Sequence, residues 1–332
     1  MQSMQNTAPL SLVTLGGSQV RISPVGLGGW SWGDPFVWGY GAGYDDLDVY
    51  AALETSIQAG VNFIDTAEIY GMGRSERLLG EFMRRSGQNL VVTTKFFPYP
   101  WRWGKGRLMS ALRGSLRRLG LERVDLYLIH WPWPPVSYTT WVSGLAEAVE
   151  AGLTRLAGVS NFDARQTRIA HDLLAKRGIP LSANQVQYSL LHRDPERNGL
   201  RDTCRELGVT LVAYSPLAMG LLTGKYTPDN PPSGARRHRY SKELLRRIQP
   251  LIGLLREIGE GHRLNGVGRA PEQVALNWVI CQGAVPIPGA KNARQATANA
   301  GALGWRLTDD EVEALNRASD LAVGRAVSAP HH

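Results

Sequence analysis

The stretch Ala59-Gly60-Val61-Asn62-Phe63-Ile64-Asp65 carries the reading of the fold. An amphipathic segment ends at a glycine, a short apolar run follows at once, and a carboxylate closes the run. Glycine suits the left-handed backbone position that ends a helix, because it has no Cβ to clash. The same junction recurs at Leu119-Gly120-Leu121, Ala151-Gly152-Leu153, Arg177-Gly178-Ile179, Leu207-Gly208-Val209 and Gln282-Gly283-Ala284, and Gly87 before Leu90-Val91-Val92 adds a seventh. The apolar runs 61–64, 90–94, 124–129, 156–159, 182–186, 210–213 and 284–287 suit strands covered on both faces, as in parallel sheets, and 25–27 supplies one more at the start. Between them, Leu112, Leu116 and Leu119 share a helical face, as do Ile169, Leu173 and Leu174. The last helix opens with Pro271, with Val274, Trp278 and Val279 at helical intervals.

Eight strands alternating with helices predict an α/β fold, a closed (β/α)8 TIM barrel rather than an open sheet. Residues 10–23, with Gly16-Gly17 between apolar runs, predict an N-terminal β-hairpin capping the barrel floor. The interval from Ser215 to Pro271 is long. Its Gly/Pro-rich start and helical stretch from about Ser241 to Ile258 are expected to form an insertion after the seventh strand, over residues 217–270, near the active site of one domain spanning 1–332.

Composition narrows the function. The chain has 332 residues, 43% hydrophobic, with a formal charge of +8. Its basic residues are scattered apart from Arg236, Arg237 and Arg239 around His238, which reads as a solvated loop, and there is no nucleic-acid recognition motif. Cys204 and Cys281 both fall in helical patterns, which argues against a disulfide framework, and neither joins a histidine in a metal-ligand cluster. No signal-peptide layout opens the chain, and the apolar stretch 211–222 contains Pro216 and is too short to span a bilayer. A cytoplasmic protein with no metal is expected, with oligomerisation left open; His331 and His332 are set aside.

Barrel enzymes place their chemistry at the C-terminal ends of their strands. Here those positions hold Asp65, Lys95, His130, Ser160-Asn161, Gln185 and Tyr214-Ser215. Tyr70 follows Asp65 within one short loop. A carbonyl receiving hydride needs a proton on its oxygen. A phenol is a weak acid, and an adjacent ammonium lowers its pKa. Lys95 is expected to do this to Tyr70, Asp65 to hold Lys95 charged, and His130 to bond the substrate oxygen or relay the proton. Each residue alone has a plainer reading, as a turn cap, a solvated amine, a satisfied histidine or a loop brace. Together at consecutive strand ends they form one constellation.

At this level of detail the sequence resembles the aldo-keto reductase superfamily. Gly60-Val-Asn-Phe-Ile-Asp65-Thr-Ala-Glu-Ile-Tyr70-Gly is similar to that family's signature. So are Val92-Thr-Thr-Lys95, Leu128-Ile-His130-Trp-Pro132, Gly158-Val-Ser-Asn-Phe162, Gln185-Val-Gln-Tyr188, Ala213-Tyr-Ser-Pro-Leu217 and Ile287-Pro-Gly-Ala290. The match runs in order from about Arg21 to Leu315. Trp32-Gly33 with Trp38-Gly-Tyr-Gly41 resembles a branch that includes pyridoxal reductases and relatives of potassium-channel β subunits.

The resemblance implies NADPH-dependent reduction of aldehydes or ketones, with Tyr70 as general acid and Asp65, Lys95 and His130 completing a tetrad. It implies that Ser160, Asn161 and Gln185 hold the nicotinamide carboxamide and that Tyr214 stacks on the ring. Gly29 and Trp30 would lie near cofactor and substrate, Ser215, Leu217 and Gly220 at the pyrophosphate, and Gly289, Lys291, Gln295 and Asn299 around the adenosine. Many relatives carry an acidic residue where this chain has Ala298, which weakens the expected adenine contacts. Lys291 and Arg294 suit the 2′-phosphate of NADPH. Trp101, Trp103, Trp131, Trp133 and Trp141 crowd two loop regions, and Trp131 is assigned with Trp30 to the wall of a substrate pocket suited to flat or apolar carbonyl compounds such as pyridoxal or aromatic aldehydes.

Three other classes compete. The dinucleotide fingerprint G-x-G-x-x-G after a first strand is missing, and no Tyr-x-x-x-Lys pair occurs. Gly29-Trp-Ser-Trp-Gly33 matches the serine-hydrolase pattern, but Asp34-Pro35 and a glycine-rich loop follow where a helix is required. A regulatory subunit of a membrane protein, binding the cofactor with little turnover, is the remaining alternative.

Overall fold

The structure is a computed structural model that describes residues 11–232 and 240–324. The Arg236–Arg239 cluster, His331 and His332 lie outside the described residues. Two short strands come first, β1 (Val13–Thr14) and β2 (Arg21–Ile22), paired antiparallel with Val13 opposite Ile22. Eight parallel strands follow: β3 (Leu27–Gly28), β4 (Phe63–Asp65), β5 (Val91–Phe96), β6 (Val124–Ile129), β7 (Thr154–Ser160), β8 (Leu181–Gln187), β9 (Thr210–Tyr214) and β10 (Ala284–Pro286). Each pairs with its neighbour in sequence. The ends of the series meet: Gly26 N donates to Pro286 O at 2.9 Å, Gly28 N donates to Pro288 O at 3.0 Å, and Gly28 bridges Gly289 in parallel. The sheet is therefore the expected closed barrel.

All seven junction glycines adopt positive φ, between 66° and 90°. The helices lie outside the barrel and bury one face against it. Leu112, Leu116 and Leu119 are buried in the helix Gly106–Leu119. In the helix Ala164–Ala175 the buried face is Thr167, Ala170 and Leu174, so the expected stripe is shifted: Ile169 and Leu173 sit at its margin. Pro271 opens the helix Pro271–Cys281, but this is not the last, since Ala293–Ala300 and Asp309–Val323 follow.

A second apolar cluster fills the barrel. Phe63, Leu126, Leu128, Leu156, Ala183, Val212, Val285 and Ile287 point inward, joined from below by Leu15 and Ile22 of the hairpin. The hairpin thus plugs the floor, and Gly16 N donates to Thr210 Oγ1 at 2.7 Å. Between β9 and Pro271 come a tight turn (Ala218–Thr223) and two helices, Lys242–Arg247 and Gln249–Gly261. The helix expected over 241–258 breaks at Ile248, because Pro250 has no N–H to continue the ladder. Leu245, Ile248, Leu251 and Leu255 are buried in the main core, so this segment packs onto the barrel.

Candidate active site

Strand alternation places the polar residues. Side chains two apart on a strand share a face. Two residues beyond the interior groups Phe63, Leu128, Ala183 and Val212 stand Asp65, His130, Gln185 and Tyr214. Lys95 holds the same place on β5 and Ser160 on β7. The layer below is apolar except for Thr93 and Gly158, which stand two residues before Lys95 and Ser160, and the top of the barrel is polar. The strands run further than the apolar runs predict. Asp65, Lys95, Ser160 and Tyr214 lie inside β4, β5, β7 and β9, and β8 runs one residue past the predicted 182–186 to Gln187, because backbone pairing continues past the last apolar residue: Asp65 is in register with Thr93, and Lys95 with Leu128.

Lys95 is the hub. Its Nζ donates to Asp65 Oδ2 at 2.6 Å, to the Thr66 carbonyl at 2.8 Å and to the Tyr70 hydroxyl at 3.2 Å, which engages all three ammonium protons. Asp65 Oδ1 accepts from Gln185 Nε2 at 2.7 Å. His130 completes the group, its ring 5.8 Å from the Tyr70 ring between centroids and edge-on to it. Tyr70 is fixed by a tight turn in which Gly71 and Met72 both have φ of 52°. A Cβ on Gly71 would stand 2.5 Å from Gly33 O, so that loop can approach only a glycine.

Burial governs the charges. It pushes the Asp65 carboxyl up and the Lys95 amine down, and each is drawn part of the way back by the other. The His130 imidazole is held well below its usual pKa by burial and by Lys95, so it is neutral. The Tyr70 phenol is pushed well above its usual value by burial, with Asp65 and Tyr214 adding to the effect. This reverses the expected lowering by Lys95: the loss of water around the phenolate outweighs the attraction of one amine whose charge is already engaged by Asp65.

The expected carboxamide residues form a chain. Ser160 Oγ donates to Gln185 O at 2.8 Å, Asn161 Nδ2 donates to His130 O at 3.0 Å, and the Tyr214 hydroxyl donates to Asn161 Oδ1 at 3.0 Å. Asn161, Ser215, Ala218 and Met219 have positive φ of 61°, 50°, 48° and 54°, followed by Gly220 at 95°. Leu217 is half-buried between them. Across the mouth, Gly289 O accepts from Asn299 Nδ2 at 3.2 Å and Gln295 Oε1 accepts from Lys291 N at 2.9 Å. Asn292 caps the helix Ala293–Ala300, and Arg294 is exposed on its first turn. Lys291 is less available than expected: its Nζ donates to Trp38 O at 2.5 Å and lies over the rings of Trp38 and Tyr44.

The aromatic residues divide. Gly29 is anchored by its N–H to Asp65 O at 2.7 Å, and the Trp30 ring beside it stands edge-on to Trp38. Trp131 stacks on Trp133 with centroids 4.8 Å apart, while Trp141 is buried under Phe96 and belongs to the core. Ser31 lies in a turn with no following helix, which removes the hydrolase geometry. Phe97, Tyr99, Glu68, Arg102 and Glu76 escaped the sequence reading. Phe97 was legible in principle, since it lies two residues past Lys95 on the same side. Glu76, fully buried, accepts from Thr94 Oγ1 at 2.6 Å and Arg118 Nε at 2.5 Å behind Lys95, and no motif marks it. Among the described residues, no group of three or more His, Cys, Asp or Glu side chains is placed to hold a metal ion.

The closed barrel agrees with the comparisons. The model of the family described as "Aldo/keto reductase family" matches residues 24–320. A pyridoxal reductase of Arabidopsis thaliana chloroplasts is 42% identical over 305 residues, covering 88% of this chain and 82% of its own. An aldo-keto reductase from Klebsiella pneumoniae, solved in complex with NADPH, superposes with a TM-score of 0.71 at 27% identity, covering 94% of this chain and 95% of its own. A glycerol dehydrogenase from Gluconobacter oxydans shares the fold, with a TM-score of 0.84 at 24% identity over 98% of this chain and 100% of its own. The chain belongs to the aldo/keto reductase family. It is an oxidoreductase of that type.

Proposed function

We propose that this protein reduces aldehydes or ketones to alcohols with NADPH, with Tyr70 as the proton donor. The observation that carries the reading is the contact of one buried amine, Lys95 Nζ, with both Asp65 and the Tyr70 hydroxyl. The residues of the mouth fit a dinucleotide. Four non-glycine residues in the left-handed region cluster at the ends of β7 and β9, a costly arrangement that persists at ligand sites. The helix Ala293–Ala300 presents its N-terminus beside Arg294, which suits a phosphate. Ser160, Asn161 and Gln185 would hold the carboxamide, Tyr214 the ring, Ser215, Leu217 and Gly220 the pyrophosphate, and Gly289, Lys291, Gln295 and Asn299 the adenosine end.

Bound NADPH supplies hydride to the carbonyl carbon. The Tyr70 hydroxyl then gives its proton to the carbonyl oxygen as negative charge develops there. The Lys95 ammonium stabilises the phenolate left behind, and Asp65 keeps that amine in place. The neutral His130 orients the carbonyl by a hydrogen bond. Planar aldehydes, pyridoxal among them, suit the rings of Trp30 and Trp131, and the relative at 42% identity bears the name pyridoxal reductase.

The test is loss of NADPH absorbance against carbonyls including pyridoxal and a nitrobenzaldehyde. Tyr70→Phe is expected to lower kcat by roughly 10²- to 10⁴-fold, the usual share of a general acid, with NADPH affinity measured by fluorescence little changed. A Tyr70→Phe protein turning over at the original rate would falsify the assignment.

A further inference from the structure

Exposed aromatic rings usually float on side-chain freedom, but here a set of them is braced. Glu68 lies between Asp65 and Tyr70 in the loop after β4. Its carboxylate takes a two-pronged contact from Arg102: Nη1 to Oε1 at 2.5 Å and Nη2 to Oε2 at 3.0 Å. Oε1 also accepts from the Phe97 backbone N–H at 2.7 Å, and Arg102 Nη1 donates to the Phe97 carbonyl at 2.8 Å. The guanidinium carbon lies 5.0 Å from the centroids of both Phe96 and Tyr99. The pair is largely covered, with 19% and 7% of the two side chains exposed. Fork-to-fork contact of this kind fixes orientation as well as position. It therefore locks the loop after β5 to the loop that carries Tyr70.

The locked loop presents a run of rings. From His130, Phe97 stands edge-on at 5.6 Å between centroids. Tyr99 follows at 4.7 Å from Phe97, and Trp101 stacks on Tyr99 at 4.6 Å with 14° between planes. A side branch leads from Phe97 to Trp133 at 5.6 Å and on to Trp131. The outer members stay open to solvent, Trp101 at 69% and Trp133 at 41%. Along this run, Tyr99 and Trp101 stand one and two rings beyond Phe97, the ring that meets His130.

We propose that the Glu68–Arg102 ion pair is a specificity-determining positioning pair, which holds Phe97, Tyr99 and Trp101 as an extended aromatic track and so favours carbonyl substrates bearing a long planar aryl group over compact ones. This rests on the reductase reading above. Ring-on-ring contact beyond area burial contributes enough to change affinity by about two- to ten-fold for each pair. The ion pair touches neither the carbonyl nor the cofactor-side residues, so its effect is on which substrate is held.

The experiment compares kcat/KM for 4-phenylbenzaldehyde and for propanal in the wild type, Trp101→Ala, Arg102→Leu and Arg102→Lys. The wild type is expected to prefer the biphenyl aldehyde. Trp101→Ala and Arg102→Leu should each lower the biphenyl-to-propanal ratio about ten-fold, mainly through KM, and Arg102→Lys should restore little because a lysine cannot form the fork. Binding of the product 4-phenylbenzyl alcohol, followed by tryptophan fluorescence, should weaken in parallel, and this readout needs no turnover. An unchanged ratio and unchanged alcohol binding in Trp101→Ala, a surface substitution with little bearing on folding, would overturn the proposal. A wild type that binds the biphenyl alcohol tightly yet oxidises no NADPH with any aldehyde would overturn the reductase reading and leave the track standing.

Discussion

Asp65 Oδ2, the Thr66 carbonyl and the Tyr70 hydroxyl all face Lys95 Nζ, and that amine is fully buried. At the scale of single residues the consequence is a matter of sign. The Tyr70 pKa is raised, so the protonated phenol, which is the donor form, persists to higher pH than in water. The kcat/KM for reduction reports groups of the free enzyme. It is therefore expected to show no descending limb from Tyr70 between about pH 7 and about pH 9, since even an unperturbed phenol titrates near ~10. A fall with a midpoint inside that interval would mean that Lys95 wins over burial after all. The tetrad was legible because four chemically apt side chains stand at strand ends and in the loop after one of them. The direction of the Tyr70 shift was not legible, because burial is a property of the folded surroundings and no residue name carries it.

Among the elements, the hairpin shows how closely the floor is fitted. Gly16 has φ of 59°, and a Cβ there would lie 2.5 Å from Ser182 Cα. Gly17 beside it has nothing within 4 Å of the same position. Gly16→Ala is expected to cost about 2–5 kcal/mol, from a left-handed alanine and an overpacked backbone contact. Gly17→Ala should stay within about 0.5 kcal/mol, as for open surface sites. Equilibrium urea unfolding of both variants checks this, and equal midpoints would show that the floor yields. Helix ends were readable from glycine alone. Strand ends were not, because β4, β5, β7, β8 and β9 continue through polar residues that pair by backbone. The turns at Tyr70–Gly73 and Ala218–Thr223 have no periodicity to betray them.

For the molecule as a whole, the mouth has two sides. The loops after β3 to β6 carry Trp30, Phe97, Trp101, Trp131 and Trp133, while the loops after β7 to β10 carry Asn161, Ser215, Gly220, Gly289 and Arg294. The net charge of +8 favours an anionic partner, and Arg294 is the exposed cation on the first turn of the helix Ala293–Ala300. Arg294→Ala is expected to raise KM for NADPH about five- to ten-fold with little effect on KM for NADH, as loss of one phosphate contact predicts. The gap should narrow in high salt, because exposed charges are screened. Equal effects on both coenzymes in initial-rate assays would remove Arg294 from the 2′-phosphate. Lys291 is the less direct partner, since its amine already meets the Trp38 carbonyl.

That two-sided mouth is also a division along the chain. The ring-bearing loops all fall before residue 138, and the polar loops all fall after residue 159. The two blocks are stitched together across the rim by Gln185 Nε2 on Asp65, Asn161 Nδ2 on the His130 carbonyl and Lys291 Nζ on the Trp38 carbonyl, so a first block grafted alone from a relative is expected to work only where these seams are matched.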